Sequence, residues 1–162
     1  MAGREALFER IFDASPGAVW RAWTDPGLIK QWWGPDNVII PACEVDLRTG
    51  GKISIVMEAG EAMGPYKGTR WPMEGRFTVV ETNARLSYTA KAWTEGDREA
   101  TEIDQVTELT LAGENGKTRL TLKVTINKAG PKAGMALQGM QAGFTQHLEK
   151  LEKFLAKERI TK

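Results

Sequence analysis

The chain has 162 residues and a formal net charge of +1, from 22 Lys and Arg against 21 Asp and Glu. That length suits one core of ordinary size, so a single domain over residues 1–162 is expected, and the even charge balance argues against nucleic acid as a partner. The one cysteine, Cys43, excludes an internal disulfide, and no apolar run reaches membrane-spanning length, so a cytoplasmic protein without stable membrane insertion is expected.

Residues 7–12 read as a short edge strand, with charges interrupting both phases of its alternation. The stretch SPGAVWRAWTDPGLIKQWWGP, residues 15–35, then predicts two short helices in immediate succession. Ser15 and Asp25 are suited to accept hydrogen bonds from free N–H groups of the first turns, and Pro16 and Pro26 fit the first helical positions. Gly34 gives the second helix an exit and Pro35 prevents its continuation. Trp20, Trp23, Trp32 and Trp33 crowd this unit, and so much aromatic area must pack against something large.

Extended runs follow at residues 38–48, 52–58, 71–81, 85–93, 102–112 and 117–126. Residues 59–68, with three glycines and a proline, read as a hairpin loop, and Gly113-Glu114-Asn115-Gly116 reads as a hairpin turn. Leu120, Leu122, Val124 and Ile126 share one face, as do Leu86, Tyr88, Ala90 and Ala92. One apolar and one wet face predict an antiparallel sheet covered on one side. Residues 131–157 supply the cover as a long helix, with Ala133, Leu137, Met140, Phe144, Leu148, Leu151 and Leu155 in one stripe. Strand, helix pair, strands and long helix in that order predict an α+β domain, its curved sheet wrapped around the last helix.

The strings VWRAWTDP and QWWGP resemble the opening of the activator of heat-shock-protein-90 ATPase homologue-like proteins, within the START-like, pollen-allergen-like SRPBCC superfamily. The resemblance runs from about Leu7 to about Leu155. It implies the helix-grip fold, and it implies that the space between sheet and long helix holds a small hydrophobic or amphipathic ligand. Lipids, isoprenoids and aromatic metabolites all fit that description.

Recognisable catalytic and metal motifs are missing: there is no HExxH, no GxxxxGK[ST] and no GxGxxG after a strand, and one His with one Cys makes no ordinary zinc cluster. No cofactor or metal is expected. Candidate cavity residues come from the inward phases. Strand parity points Met57, Trp71, Met73, Phe77 and Leu109 inward, together with the polar Tyr88, Gln105 and Thr107. A buried polar group without a partner costs roughly 1–3 kcal/mol, so these three are candidate ligand anchors unless a bulge shifts the phase and turns Val106 inward. Trp23, Trp32 and Trp33 line an entrance or seal one end of the sheet. Leu137, Met140 and Phe144 face the sheet from the long helix.

His147, near the edge of that stripe, is expected to titrate near neutral pH, which suits it to bind a ligand carboxylate or shuttle a proton, although more often such a histidine packs at a helix–sheet border and bonds a carbonyl or water. Gly139 and Gly143 share a face, either for close packing, the simpler account, or to leave space beside a pocket. Trp93 falls in the outward phase, at a loop edge or an oligomer contact.

A binding protein, monomeric or homodimeric, is the leading reading. An enzyme of the polyketide cyclase or aromatase kind would need converging titratable groups from among Tyr88, His147 and Glu74, and Glu74 falls in the outward phase. A co-chaperone role is implied by the family name, yet those activators carry a separate N-terminal domain that is not found in this sequence.

Overall fold

The computed structural model describes residues 4–34 and 36–160, less the side chains of residues 4, 135–137, 139 and 158–160. Strand β1 (Arg4–Phe12) leads into helices α1 (Pro16–Thr24) and α2 (Pro26–Trp32). Both helices start as their sequences dictate. Ser15 Oγ accepts from the Ala18 N–H at 3.2 Å, and Asp25 Oδ1 accepts from the Gly27 N–H at 2.9 Å. Each is followed by its proline at the first helical position.

Six strands follow: β2 (Val38–Val45), β3 (Lys52–Ala59), β4 (Arg70–Glu81), β5 (Arg85–Ala92), β6 (Ile103–Glu114) and β7 (Lys117–Ala129). With β1 they form one curled antiparallel sheet in the order β1-β7-β6-β5-β4-β3-β2, a half-barrel. The β6–β7 turn places Asn115 at φ 51° and Gly116 at φ 81°, the pair of left-handed residues that a two-residue hairpin with matching twist requires. The 59–68 connection carries a 3-10 turn, Glu61–Tyr66. A short helix α3 (Arg98–Thr101) precedes β6, where the sequence gives no helix signal. Helix α4 (Gly134–Ile160) completes the helix-grip fold, packing nearest to α1, α2 and β1.

Cross-strand register shows which residues share the concave face. Ile55 pairs with Met73, Met57 with Trp71, Phe77 with Tyr88, Tyr88 with Thr107, Ala90 with Gln105 and Thr107 with Val124. Directly paired residues lie on one side of the sheet, so one apolar surface runs from β3 to β7. Two bulges interrupt the ladder. Thr78 is the extra residue of β4 against β5, and Asn127 is that of β7 against β6. Neither turns Val106 inward: Gln105 and Thr107 keep the concave phase. On β1 the concave positions hold the buried Ala6, Phe8 and Phe12 and the half-buried Arg10, while Leu7 and Ile11 stand exposed on the convex side.

Candidate functional site

Three tryptophans of the helix pair converge on one residue of α4. His147 is buried, with ring centroids 4.4 Å from Trp33, 4.7 Å from Trp32, and 5.6 Å from both Trp23 and Phe144. Its Nδ1 accepts from the Gly34 N–H at 2.9 Å. A neutral imidazole that accepts at Nδ1 carries its proton on Nε2, and that Nε2–H has no hydrogen-bond partner. The Trp23 Nε1–H shares this condition, whereas Trp32 Nε1–H donates to the Ala22 carbonyl at 2.9 Å. The edge-on packing of Trp32 and Trp33 against the imidazole is the geometry of weak contacts between N–H or C–H groups and aromatic faces.

His147 belongs to a three-residue clasp. On one side of it Gln146 Oε1 accepts from the Asp36 N–H at 3.1 Å, and one turn on Lys150 Nζ donates to the Trp33 carbonyl at 3.2 Å. The clasp holds the exit of α2, where Gly34 sits at φ 89° and a Cβ would lie 2.7 Å from Val38 Cγ2. Burial, with a smaller contribution from the Lys150 charge, pushes His147 down to about 3. The expectation that this imidazole titrates near neutrality is therefore corrected: it stands in an aromatic, water-poor setting that disfavours the cation.

The sheet side is different. The Tyr88 phenol is pushed up to about 12 by burial, and the Thr107 hydroxyl opposite pulls weakly the other way. The two hydroxyls are near enough for Thr107 to act on the phenol, while Thr107 Oγ1 itself is buried with no hydrogen-bond partner. Gln105, the next inward residue of β6, is half-buried. Met73, Phe77 and Leu109 are buried on the same face, and Met57 and Trp71 are half-buried.

Accessibility changes along α4. Leu148, Leu151 and Leu155 are buried, while Met140 and Phe144 are half-buried and packed against the core. The half-exposed Trp71, Ala92 and Ile103 likewise occupy the start of β4, the end of β5 and the start of β6. Apolar side chains at this end of the sheet and on the first half of α4 are thus only partly buried. Leu137 and Gly139 lie outside the described side chains.

A Cβ at Gly143 would meet nothing within 4 Å, so close packing does not explain that glycine. Trp93 lies just past β5, capped by the Arg98 guanidinium 3.7 Å from its ring centroid. Glu74 pairs with Lys91 on the convex face and is exposed.

The sequence reading missed Gln146, Lys150 and the backbone of Gly34 as the partners that engage α4. Their signal was faint: polar residues flanking a lone histidine on a helix, and a glycine after paired tryptophans.

A sheet curled around a C-terminal helix with an accessible apolar groove defines a helix-grip domain of the ligand-binding kind. Residues 13–156 match the family described as Activator of Hsp90 ATPase homolog 1-like protein, and the chain belongs to that family. Among solved structures it is similar to protein NE0264 from Nitrosomonas europaea, 28% identical over 96% of each chain with a TM-score of 0.74. The AHSA1 (SPO3351) protein from Silicibacter pomeroyi is 27% identical over 96% of this chain and 99% of that one, with a TM-score of 0.73. Protein CV1439 from Chromobacterium violaceum shares the fold at 21% identity, covering 93% of this chain and 96% of that one, with a TM-score of 0.75. No curated protein matches the chain.

Proposed function

We propose that this protein binds a small hydrophobic or amphipathic molecule between the concave sheet face and α4, as a single cytoplasmic domain. The observation that carries the reading is the graded burial of the apolar side chains between sheet and helix, complete at Leu148, Leu151 and Leu155 and partial at Trp71, Ile103, Met140 and Phe144. Half-exposed apolar side chains grouped at the mouth of a concavity are the usual surface of a ligand site. The family is generally one of ligand-binding domains, which supports the same reading. Among the described residues no helix is long and apolar enough to cross a membrane. The net charge of +1 gives nucleic acid no electrostatic purchase.

Binding is favoured over proton-transfer catalysis by the state of the titratable groups. His147 spends its acceptor nitrogen on Gly34, Tyr88 stays protonated to about pH 12, and Glu74 is on the convex face. A base and an acid poised near neutrality are what such catalysis needs.

Native mass spectrometry of gently purified protein, followed by denaturation and identification of released molecules, tests the proposal. A stoichiometric apolar adduct is expected. A clean apo mass together with no response to a panel of fatty acids, isoprenoids and aromatic ketones overturns it.

A further inference from the structure

Resting on that cavity reading, we infer that the bound molecule carries a carboxylate, received on the cross-strand row that sets Arg4 and Gln105 together on the concave face. The argument begins with the charges of that face. The β1–β7 register places Arg4 opposite Ile126 and Arg10 opposite Leu120, and both partners are buried residues of the concave phase. Directly paired residues share a side of the sheet, so both arginine positions are concave. Glu5 and Glu9 fall in the other phase of β1. Among the described residues, no Asp or Glu stands at a paired concave position of β2 to β7. The concave positions thus carry cationic residues and no acidic one.

The two arginines differ in their company. Arg10 shares its row with Leu120 and Leu111, and its guanidinium donates to the neighbouring Glu9 carbonyl at 2.9 Å. Arg4 opens β1 and shares its row with Ile126, Gln105 and Ala90. Two strand spacings separate Arg4 from Gln105, about 10 Å from Cα to Cα. A head group held between a guanidinium and a side-chain amide would fill that gap. Gln105 is half-buried, so a charge on this row sheds only part of its water.

The next row inward supplies further donors. It holds Thr107 and Tyr88, and the Thr107 hydroxyl is buried without a partner. Burial keeps the Tyr88 phenol protonated to about pH 12, so it can donate. A carboxylate offers about four acceptor sites, and it meets a guanidinium fork through two parallel hydrogen bonds. One arginine backed by neutral donors matches a single negative charge, whereas a phosphate would bring more charge than this row balances. The apolar remainder of the molecule would lie against the half-buried Trp71, Ile103 and Met140.

The test uses three probes of matched shape: 4-phenylbutanoate, its neutral amide 4-phenylbutanamide, and butylbenzene. Each is titrated into the intact, untagged protein at neutral pH, with dissociation constants read from amide and side-chain NMR shifts. At low salt the acid is expected to bind about five- to ten-fold tighter than the amide, and added salt should narrow that margin. The acid should also shift the Gln105 side-chain amide resonance. Arg4→Gln should bring the acid down to the amide while butylbenzene keeps its affinity, and Arg10→Gln should leave all three affinities in place. If Arg4→Gln fails to fold, the ranking of acid and amide in the unaltered protein, with its salt dependence, decides alone.

Equal affinity for acid and amide overturns the inference, and so does an acid margin that survives Arg4→Gln, while either result leaves the cavity standing. Failure of all three probes to perturb the concave face removes the cavity reading, and the inference with it.

Discussion

Acid should destabilise this fold through His147, the only histidine of the sequence. An unfolded histidine has a pKa near 6.5, and His147 in the fold is held down to about 3. Between those values the unfolded chain binds a proton that the folded chain refuses, so stability falls as pH falls. At pH 5 the unfolded histidine is almost fully protonated and the folded one almost fully neutral. The linkage cost relative to pH 8 is then about 2 kcal/mol, a value that needs only a folded pKa well below 5.

For a domain of this size such a change lowers the melting temperature by roughly 4–8 °C. The chain's only histidine makes the assignment clean, and staying above about pH 5 avoids most carboxylate titration. Urea denaturation at both pH values, on the unaltered protein and on His147→Gln, measures it. Glutamine can still accept from the Gly34 N–H, so the variant should be less stable at pH 8 yet lose little more at pH 5. An imidazole carbon resonance that stays flat across the same range is the independent check. A protein whose stability is equal at the two pH values, or whose imidazole titrates near 6.5, would refute the reasoning, because His147 would then be solvated.

Thr107→Val should leave the free protein as stable or about 1 kcal/mol more stable in urea denaturation, since it removes a buried hydroxyl that has no partner; a clear loss would mean that the hydroxyl is bonded. Gly34→Ala should cost about 1–3 kcal/mol, because the residue sits at φ 89° and its Cβ would press on Val38 at 2.7 Å. Thermal melts would register that loss, and a neutral result would deny the tight exit from α2. Gly75→Ala should be worse, costing more than about 3 kcal/mol or abolishing soluble expression, since its Cβ would lie 2.0 Å from the Thr89 carbonyl oxygen on the paired strand. Ser15→Ala should cost about 1 kcal/mol through loss of the α1 cap, and a melt unchanged from the parent would show the cap to be solvent-replaced.

The fold was legible because its instructions are local. A cap and a proline in tandem start α1 and α2, an Asn-Gly turn closes β6 on β7, and period-two alternation orients β5 to β7 correctly, since the bulges at Thr78 and Asn127 fall where they leave Gln105 and Thr107 in phase. Helix α3 was invisible for the converse reason. Arg98–Thr101 is one turn, set by hydrogen bonds such as that from the Thr101 hydroxyl to the Asp97 carbonyl at 2.7 Å and by Arg98 covering Trp93. The state of His147 lay equally beyond local reading. Its partner is a backbone N–H 113 residues earlier, and its neutrality follows from rings contributed by a different helix pair.

That last point divides the candidate residues in two. Trp32, Trp33 and His147 are buried at the place where Gln146, His147 and Lys150 hold the exit from α2, and the hydrogen bonds made there join chain to chain. A ligand replacing any of them would have to break backbone contacts that position α4. Trp71, Gln105, Met140 and Phe144 make no such bonds to the backbone of the exit, and they keep accessible surface. The motif that carries the family resemblance therefore acts as the fastening of the long helix, and the proposed ligand site is set toward the other end of that helix. Specificity on this reading belongs to β5 and β6, and the tryptophans govern stability.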